Sequence, residues 1–284
     1  MNLKTQKRKG GTVVNKLSLA ITYLILSVFT FLIGYPLFWM VMQSLKELPE
    51  MFQDAWAMPQ AWAWENFREA IEMSNLDTYI FNSLYVTIVT VLCVLILAST
   101  ASYAFSKMNF RGKNLIFYIF ILSIMLPVPI IPLYMVIANL NLMNTHWALI
   151  LTYTTGGLPL SIFMLKSFFD GIPKEIEEAA IIDGCPNYRL YAGIIIPLAK
   201  PGLATVTILQ FMGAWNEFFH ALIFIRTRSL RTIPIGIQAF FRDGSTEWPL
   251  LFAALTITIV PVFIVYIIMQ KQFVEGLTAG ATKL

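Results

Sequence analysis

Charge is scarce in this sequence. Only 13% of its 284 residues are Asp, Glu, Lys or Arg, 57% are hydrophobic, and the mean hydropathy is +0.69. A soluble domain of this length needs far less apolar material to build its core, so water is not the chain's main solvent. Histidine and cysteine are scarcer still, at two each. Cys93 lies in an apolar run and Cys185 in a polar loop, a spacing that fits neither a disulfide framework nor a metal site. His146 and His220 stand beside aromatic residues, and neither accompanies a Cys or a carboxylate pair in a ligand pattern, so no catalytic or metal chemistry is assigned. No phosphate-binding Gly-x-x-x-x-Gly-Lys-Ser/Thr loop occurs: Gly10 to Lys16 approaches it, but Asn15 stands where glycine is needed and Leu17 where the hydroxyl belongs. The 20 Lys and Arg leave a net charge of +4, yet they fall in short clusters between apolar runs, which argues against nucleic acid.

What the sequence has instead is long apolar runs. A bilayer core of roughly 30 Å takes about 20 helical residues to cross, because backbone groups left unpaired in lipid are too costly. Six segments reach that length, near 18–42, 80–106, 115–137, 147–169, 202–225 and 248–270. The expected fold is an all-α integral membrane protein with six transmembrane helices, a single domain over residues 1–284 with almost nothing left for a soluble one. The basic N-terminus imitates a secretion signal, but the run after it has no small-x-small cleavage site and reads as an uncleaved first span.

With residues 1–17 and the tail 271–284 in the cytoplasm, 14 of the Lys and Arg fall inside and 6 outside, which the positive-inside rule favours. Arg226, Arg228, Arg231 and Arg242 resist this pattern, being crowded into the outer loop after span 5. Either a partner protein or Asp243 and Glu247 neutralise them, or a span is misplaced. The outer loop 46–79 carries 7 acidic and 2 basic residues with Trp56, Trp62 and Trp64, which suits an interfacial belt or a docking surface for an external protein. Pro36, Pro127, Pro129, Pro132, Gly156, Gly157, Pro159 and Pro261 interrupt the spans, as in helices that line a pathway or simply kink.

Residues 170–202 read DGIPKEIEEAAIIDGCPNYRLYAGIIIPLAKPG. Pro173 suits a helix start, and Glu175, Glu177 and Glu178 put negative charge at its positive dipole end. Ile172, Ile176, Ala179 and Ala180 fall on one face. Gly184 can take the left-handed conformation that ends a helix, and Pro186 can open a second one through Tyr188, Leu190, Tyr191 and Ile194. The expectation is a helix-turn-helix knob on the cytoplasmic side at 170–200, either projecting or lying on the membrane surface.

Glu178-Ala179-Ala180, three residues, Gly184, nine residues, then Ile194-x-Ile196-Pro197 resembles the EAA signature of permease subunits of binding-protein-dependent ABC importers; the family usually has Leu at the position of Ile196. YPLFWMVMQSLK from Tyr35 to Lys46, NSLYVT after Phe81, GAWNEF from Gly213 to Phe218 and the terminal GLTAGATKL resemble the carbohydrate-uptake group, the six-span partner of the maltose-type transporters. The tail ends in Thr-Lys-Leu where that group usually has Val-Lys-Gly.

The resemblance implies a multi-pass subunit of the bacterial cytoplasmic membrane that imports a sugar. Its implied partners are a second homologous permease, a dimer of ATP-binding subunits that hold ATP and Mg, and an extracellular solute-binding protein. It implies no cofactor and no enzymatic activity of its own. Glu178, Ala179, Ala180, Asp183, Gly184 and Pro197 would couple to the ATPase, and Asp243, Gly244 and Ser245 would touch the binding protein. Tyr134, Asn139, Tyr153, Thr154, Gln210, Trp215 and Asn216 suit sugar hydroxyls in a pathway but equally suit helix packing. The competing class is an ion-coupled secondary transporter with Glu217, within the fifth span, as the carrier; the bland alternative is an interfacial acid paired to Arg226 or capped by Asn216.

Overall fold

The computed structural model describes residues 16–126, 128–242 and 245–281. Helices dominate it. The long ones are α1 (Lys16–Ser44), α4 (Leu76–Lys107), α7 (His146–Asp170) and α13 (Trp248–Ala281), each long and apolar enough to cross a membrane. Two bent helix pairs pass the same test of length and composition only when each is taken together. α5 (Lys113–Met125) and α6 (Ile130–Asn139) meet at 114°, and α9 (Asn187–Leu198) meets α10 (Lys200–Trp215) at 75°. Counting each pair as one span gives six.

Among the short elements are α2 (Leu48–Gln53), α3 (Glu65–Ser74), α8 (Lys174–Ile182), α11 (Phe219–Phe224) and α12 (Ile233–Gly236). A two-residue hairpin pairs β1 (Phe241–Arg242) with β2 (Ser245–Thr246), Arg242 opposite Ser245.

Two expected spans need correction. The third is not one helix over 115–137: Leu126 leaves the helix in an extended conformation, and Pro129 and Pro132 restart it in the direction of α6. The fifth stops at Trp215, and three residues separate it from α11. At 16 residues α10 rises only about 24 Å, too little for a hydrocarbon core on its own. Conversely, Pro36, Pro159 and Pro261 sit inside unbroken helices, and Gly156 and Gly157 do not interrupt α7. Pro127 lies outside the described residues.

α4 and α7 form the central pair, α10 packs on both, and α13 packs on α10, α1 and α3. Their contacts fall into layers along α7. Val86, Ile137, Leu149, Phe224 and Ile235 fill the end where α4 and α7 begin, here the far end. Val94, Ala98, Ile162, Leu165 and Val206 fill the middle. Phe169, Ile172, Ala180, Leu190, Ile195 and Ala199 fill the end where both helices finish, the knob end. Lipid tails are as apolar as these side chains, so association rests on close packing and on small residues that let backbones approach. Ala98, Ala148, Ala253 and Ala254 are fully buried accordingly.

At the far end, residues 45–75 fold back on themselves. Lys46 is buried with its Nζ donating to the Asp54 carbonyl at 2.9 Å, and Asn66 Nδ2 donates to the carbonyls of Ser44 and Lys46, both at 2.9 Å. α1 touches the rest mainly through α13, with Trp39 edge-on to Phe252 at 5.4 Å. None of its most apolar window is buried in this subunit.

Candidate functional site

α8 begins directly after Pro173, with Glu175 and Glu177 in its first turn beside the positive end of the helix dipole. Its last turn is closed by three backbone bonds: Asp183 N–H to the Ala179 carbonyl (3.0 Å), Gly184 N–H to Ile181 (3.0 Å) and Cys185 N–H to Ala180 (2.9 Å). Gly184 adopts φ +74°, a conformation that costs other L-residues roughly 1–2 kcal/mol. The chain reverses there, and after Pro186 α9 starts with Arg189 and Leu190 N–H bonded to the Pro186 carbonyl. Residues Leu190–Ile195 form a π-helical turn, a wide form that recurs at functional sites. The 75° bend at Ala199 leads into α10.

The knob has two faces. Ala180 is buried against Phe169, Ile172, Leu190, Ile195 and Ala199. Glu178, Ala179, Asp183, Gly184 and Pro197 are exposed. So are Ile181, Tyr188 and, at 84%, Ile182. The expected inner face of Ile172, Ile176, Ala179 and Ala180 is thus half wrong, since Ile176 and Ala179 point outward. Glu177 turns inward instead, because Lys107 at the end of α4 meets its charge in an ion pair whose side chains are 9% and 14% exposed. The Lys107 Nζ also reaches the Ile172 carbonyl at 3.3 Å. Nothing in sequence spacing links Lys107 to Glu177; the only hint was a lysine in the last turn of a span.

The pathway candidates each take up their own contacts. Trp215 is 4% exposed and stacked on Phe211 at 5.6 Å. Gln210 Nε2 donates to Ser161 Oγ at 3.1 Å, and Asn216 Nδ2 donates to the Met212 carbonyl at 2.9 Å, closing α10. Thr154 is buried and Asn139 exposed. The Arg226 guanidinium donates to Tyr134 Oη at 3.3 Å. Asp243 and Gly244 lie outside the described residues, and Ser245 is placed only by its pairing with Arg242.

Glu217 is neither in a membrane helix nor paired to arginine. It lies in the break between α10 and α11, where its carboxylate accepts bonds from Tyr153 Oη (2.7 Å), the His220 and Ala221 backbone N–H groups (3.0 and 3.3 Å) and His220 Nδ1 (2.8 Å). That arrangement caps α11 and ties it to α7. Among the described residues, no three of His, Cys, Asp and Glu converge as metal ligands, and none of the four ion pairs involves Arg226, Arg228 or Arg231.

Comparison with known proteins gives the family and the fold. Residues 96–278 match the binding-protein-dependent transport system inner membrane component. The chain is 39% identical over 253 residues to the probable ABC transporter permease protein YurM of Bacillus subtilis, covering 88% of this chain and 84% of that one. It is 37% identical over 253 residues to the sulfoquinovosyl glycerol transport system permease protein SmoH of Agrobacterium fabrum, covering 88% of each. It is 31% identical over 265 residues to the diacetylchitobiose uptake system permease protein NgcG of Streptomyces coelicolor, covering 92% and 88%. The fold matches a chain of a bacterial ABC transporter involved in the import of the acidic polysaccharide alginate, with TM-score 0.82 and 22% identity over 93% of this chain and 99% of that one.

Proposed function

This chain belongs to the binding-protein-dependent transport system inner membrane components, as an ABC importer permease of the carbohydrate-uptake group, and from that premise we propose that it forms half of an oligosaccharide path and transmits ATPase motion through α8. The observation that carries this reading is the exposed face of the knob. Ile181, Ile182 and Tyr188 present bare apolar surface beside Glu178, Ala179 and the left-handed Gly184. A short helix with such a face is suited to a cleft in another protein.

The energy comes from outside the chain. Switching a two-state cavity from 1:99 to 99:1 takes about 5.5 kcal/mol of differential interaction. A chain without a phosphate loop receives that work by contact, from a dimer of ATP-binding subunits that hold ATP and Mg. Ala179 contributes close fit, Gly184 the reversal and Glu178 a polar contact, while Ala180, Asp183 and Pro197 hold the shape. The knob end faces the cytoplasm with both termini, in keeping with the basic residues Lys107, Lys113, Lys166 and Lys174 on that side. The far end faces an extracellular solute-binding protein, and by resemblance Asp243, Gly244 and Ser245 are the residues that touch it. The bare apolar length of α1 suits lipid or the second, homologous permease. A sugar cargo follows from relatives whose names include diacetylchitobiose and sulfoquinovosyl glycerol.

Ala179→Arg tests the assignment. Ala179 is exposed, so arginine fits the isolated subunit. In reconstituted transporter, uptake should fall more than about tenfold while ATP hydrolysis continues, the size of a typical coupling free energy. Normal uptake by this variant contradicts the proposal.

A further inference from the structure

Ser99, Tyr103 and Lys107 follow one another at intervals of four on α4 and therefore share a face. Each of the three meets the knob. Ser99 Oγ and Tyr191 Oη share a hydrogen bond of 2.7 Å, and the rings of Tyr103 and Tyr191 lie 5.1 Å apart. Lys107 pairs with Glu177 and reaches the Ile172 carbonyl. One stripe of α4 thus holds the linker leaving α7, the helix α8 and the π-helical turn of α9.

The chain itself leaves the knob at two places, both of which change direction. One is the short segment at Gly171–Pro173, the other the bend at Ala199. The stripe on α4 is different, because α4 is an unbroken helix of 32 residues that packs along both α7 and α10 and reaches the far end. A shielded ion pair fixes geometry more than it adds net stability, and removing one partner leaves the other charge uncompensated.

We infer that α4 is a lever of the subunit, latched to the knob by the Lys107–Glu177 pair and seated by Tyr103 and Ser99 on Tyr191, so that displacement of α8 moves α4 as a rigid rod. The inference rests on the proposed role of α8 as the ATPase contact. Lys107 and Glu177 are positioning residues in this scheme, since they act through α8.

The test uses the complete transporter, with both permeases, the ATPase and the binding protein, reconstituted in vesicles. Lys107→Glu and Glu177→Lys are each expected to lower solute uptake per ATP hydrolysed about tenfold, with the ATPase still co-purifying. The double exchange, Lys107→Glu with Glu177→Lys, is expected to recover most of that ratio, and Lys107→Arg to keep it. A defect of folding alone lowers the amount of complex without changing uptake per ATP. Single variants within twofold of the unaltered protein, or a double exchange no better than either single, would overturn the lever while leaving the role of α8 intact. Failure of the ATPase to co-purify with the unaltered chain would overturn the role of α8 and the lever with it.

Discussion

Gly202 in the first turn of α10 lies flat against the ring of Phe168 on α7: a Cβ added to Gly202 would lie 2.5 Å from Cγ and 3.1 Å from Cβ of the phenylalanine. The Cβ of Phe168 is fixed by the backbone of α7, and moving its Cγ takes a change of χ1 that swings the whole ring within a packed helix contact. Alanine gains at most about 1 kcal/mol of helix propensity over glycine, and less at a helix start. Overpacking of this kind costs about 1–3 kcal/mol, so the clash wins. Gly202→Ala should lower the midpoint of thermal unfolding in detergent, and Phe168→Ala in the same background should restore part of the loss. A neutral Gly202→Ala would show that the two helices are not in this contact.

Asn82 of α4 anchors the basic far-end segment. It is 5% exposed, and its Nδ2 donates to the carbonyls of Ser229 at 2.8 Å and Arg231 at 2.9 Å. Leucine at this position leaves two carbonyls without a donor, at about 1–3 kcal/mol. That loss falls on a local opening, so trypsin cleavage after Arg226 or Arg228 should accelerate about tenfold in Asn82→Leu with the helices intact. An unchanged cleavage rate would mean that other contacts hold the segment.

Glu217 separates the ABC permease from an ion-coupled carrier. As a cap it has no proton to pass on, and glutamine keeps one acceptor for Tyr153 or the α11 backbone while turning an amide toward the other donors. Glu217→Gln should cost about 1–2 kcal/mol of stability and leave uptake dependent on ATP and insensitive to a proton uncoupler. Uptake abolished in a folded complex, together with uncoupler sensitivity of the unaltered protein, would restore the carrier reading.

Much of this architecture was legible in the residues. Apolar runs near 18–42, 80–106, 147–169 and 248–270 became α1, α4, α7 and α13 because length and hydropathy alone decide a membrane crossing. The turn at Gly184 was legible from its glycine. Which prolines break a helix was not legible. Pro159 and Pro261 leave their helices unbroken, since neighbouring helices can tolerate one missing donor. The third span breaks where Pro129 and Pro132 restart it as α6. The rotation of α8 was hidden, because apolar spacing chose Ala179 for the inner face while an ion partner on α4 selected Glu177. Long-range pairs such as Tyr153 with Glu217 leave no local signal at all.

The most direct measurement places the knob. In a chain with Cys93 and Cys185 replaced by serine, Ile182→Cys presents a thiol at the most exposed apolar point of α8. In intact membranes, a short bifunctional thiol reagent should join Ile182→Cys to the ATPase subunit, and a membrane-impermeant thiol label should reach it only from the cytoplasmic side. Labelling from the outer face, or a crosslink to lipid-side partners with none to the ATPase, would contradict the account.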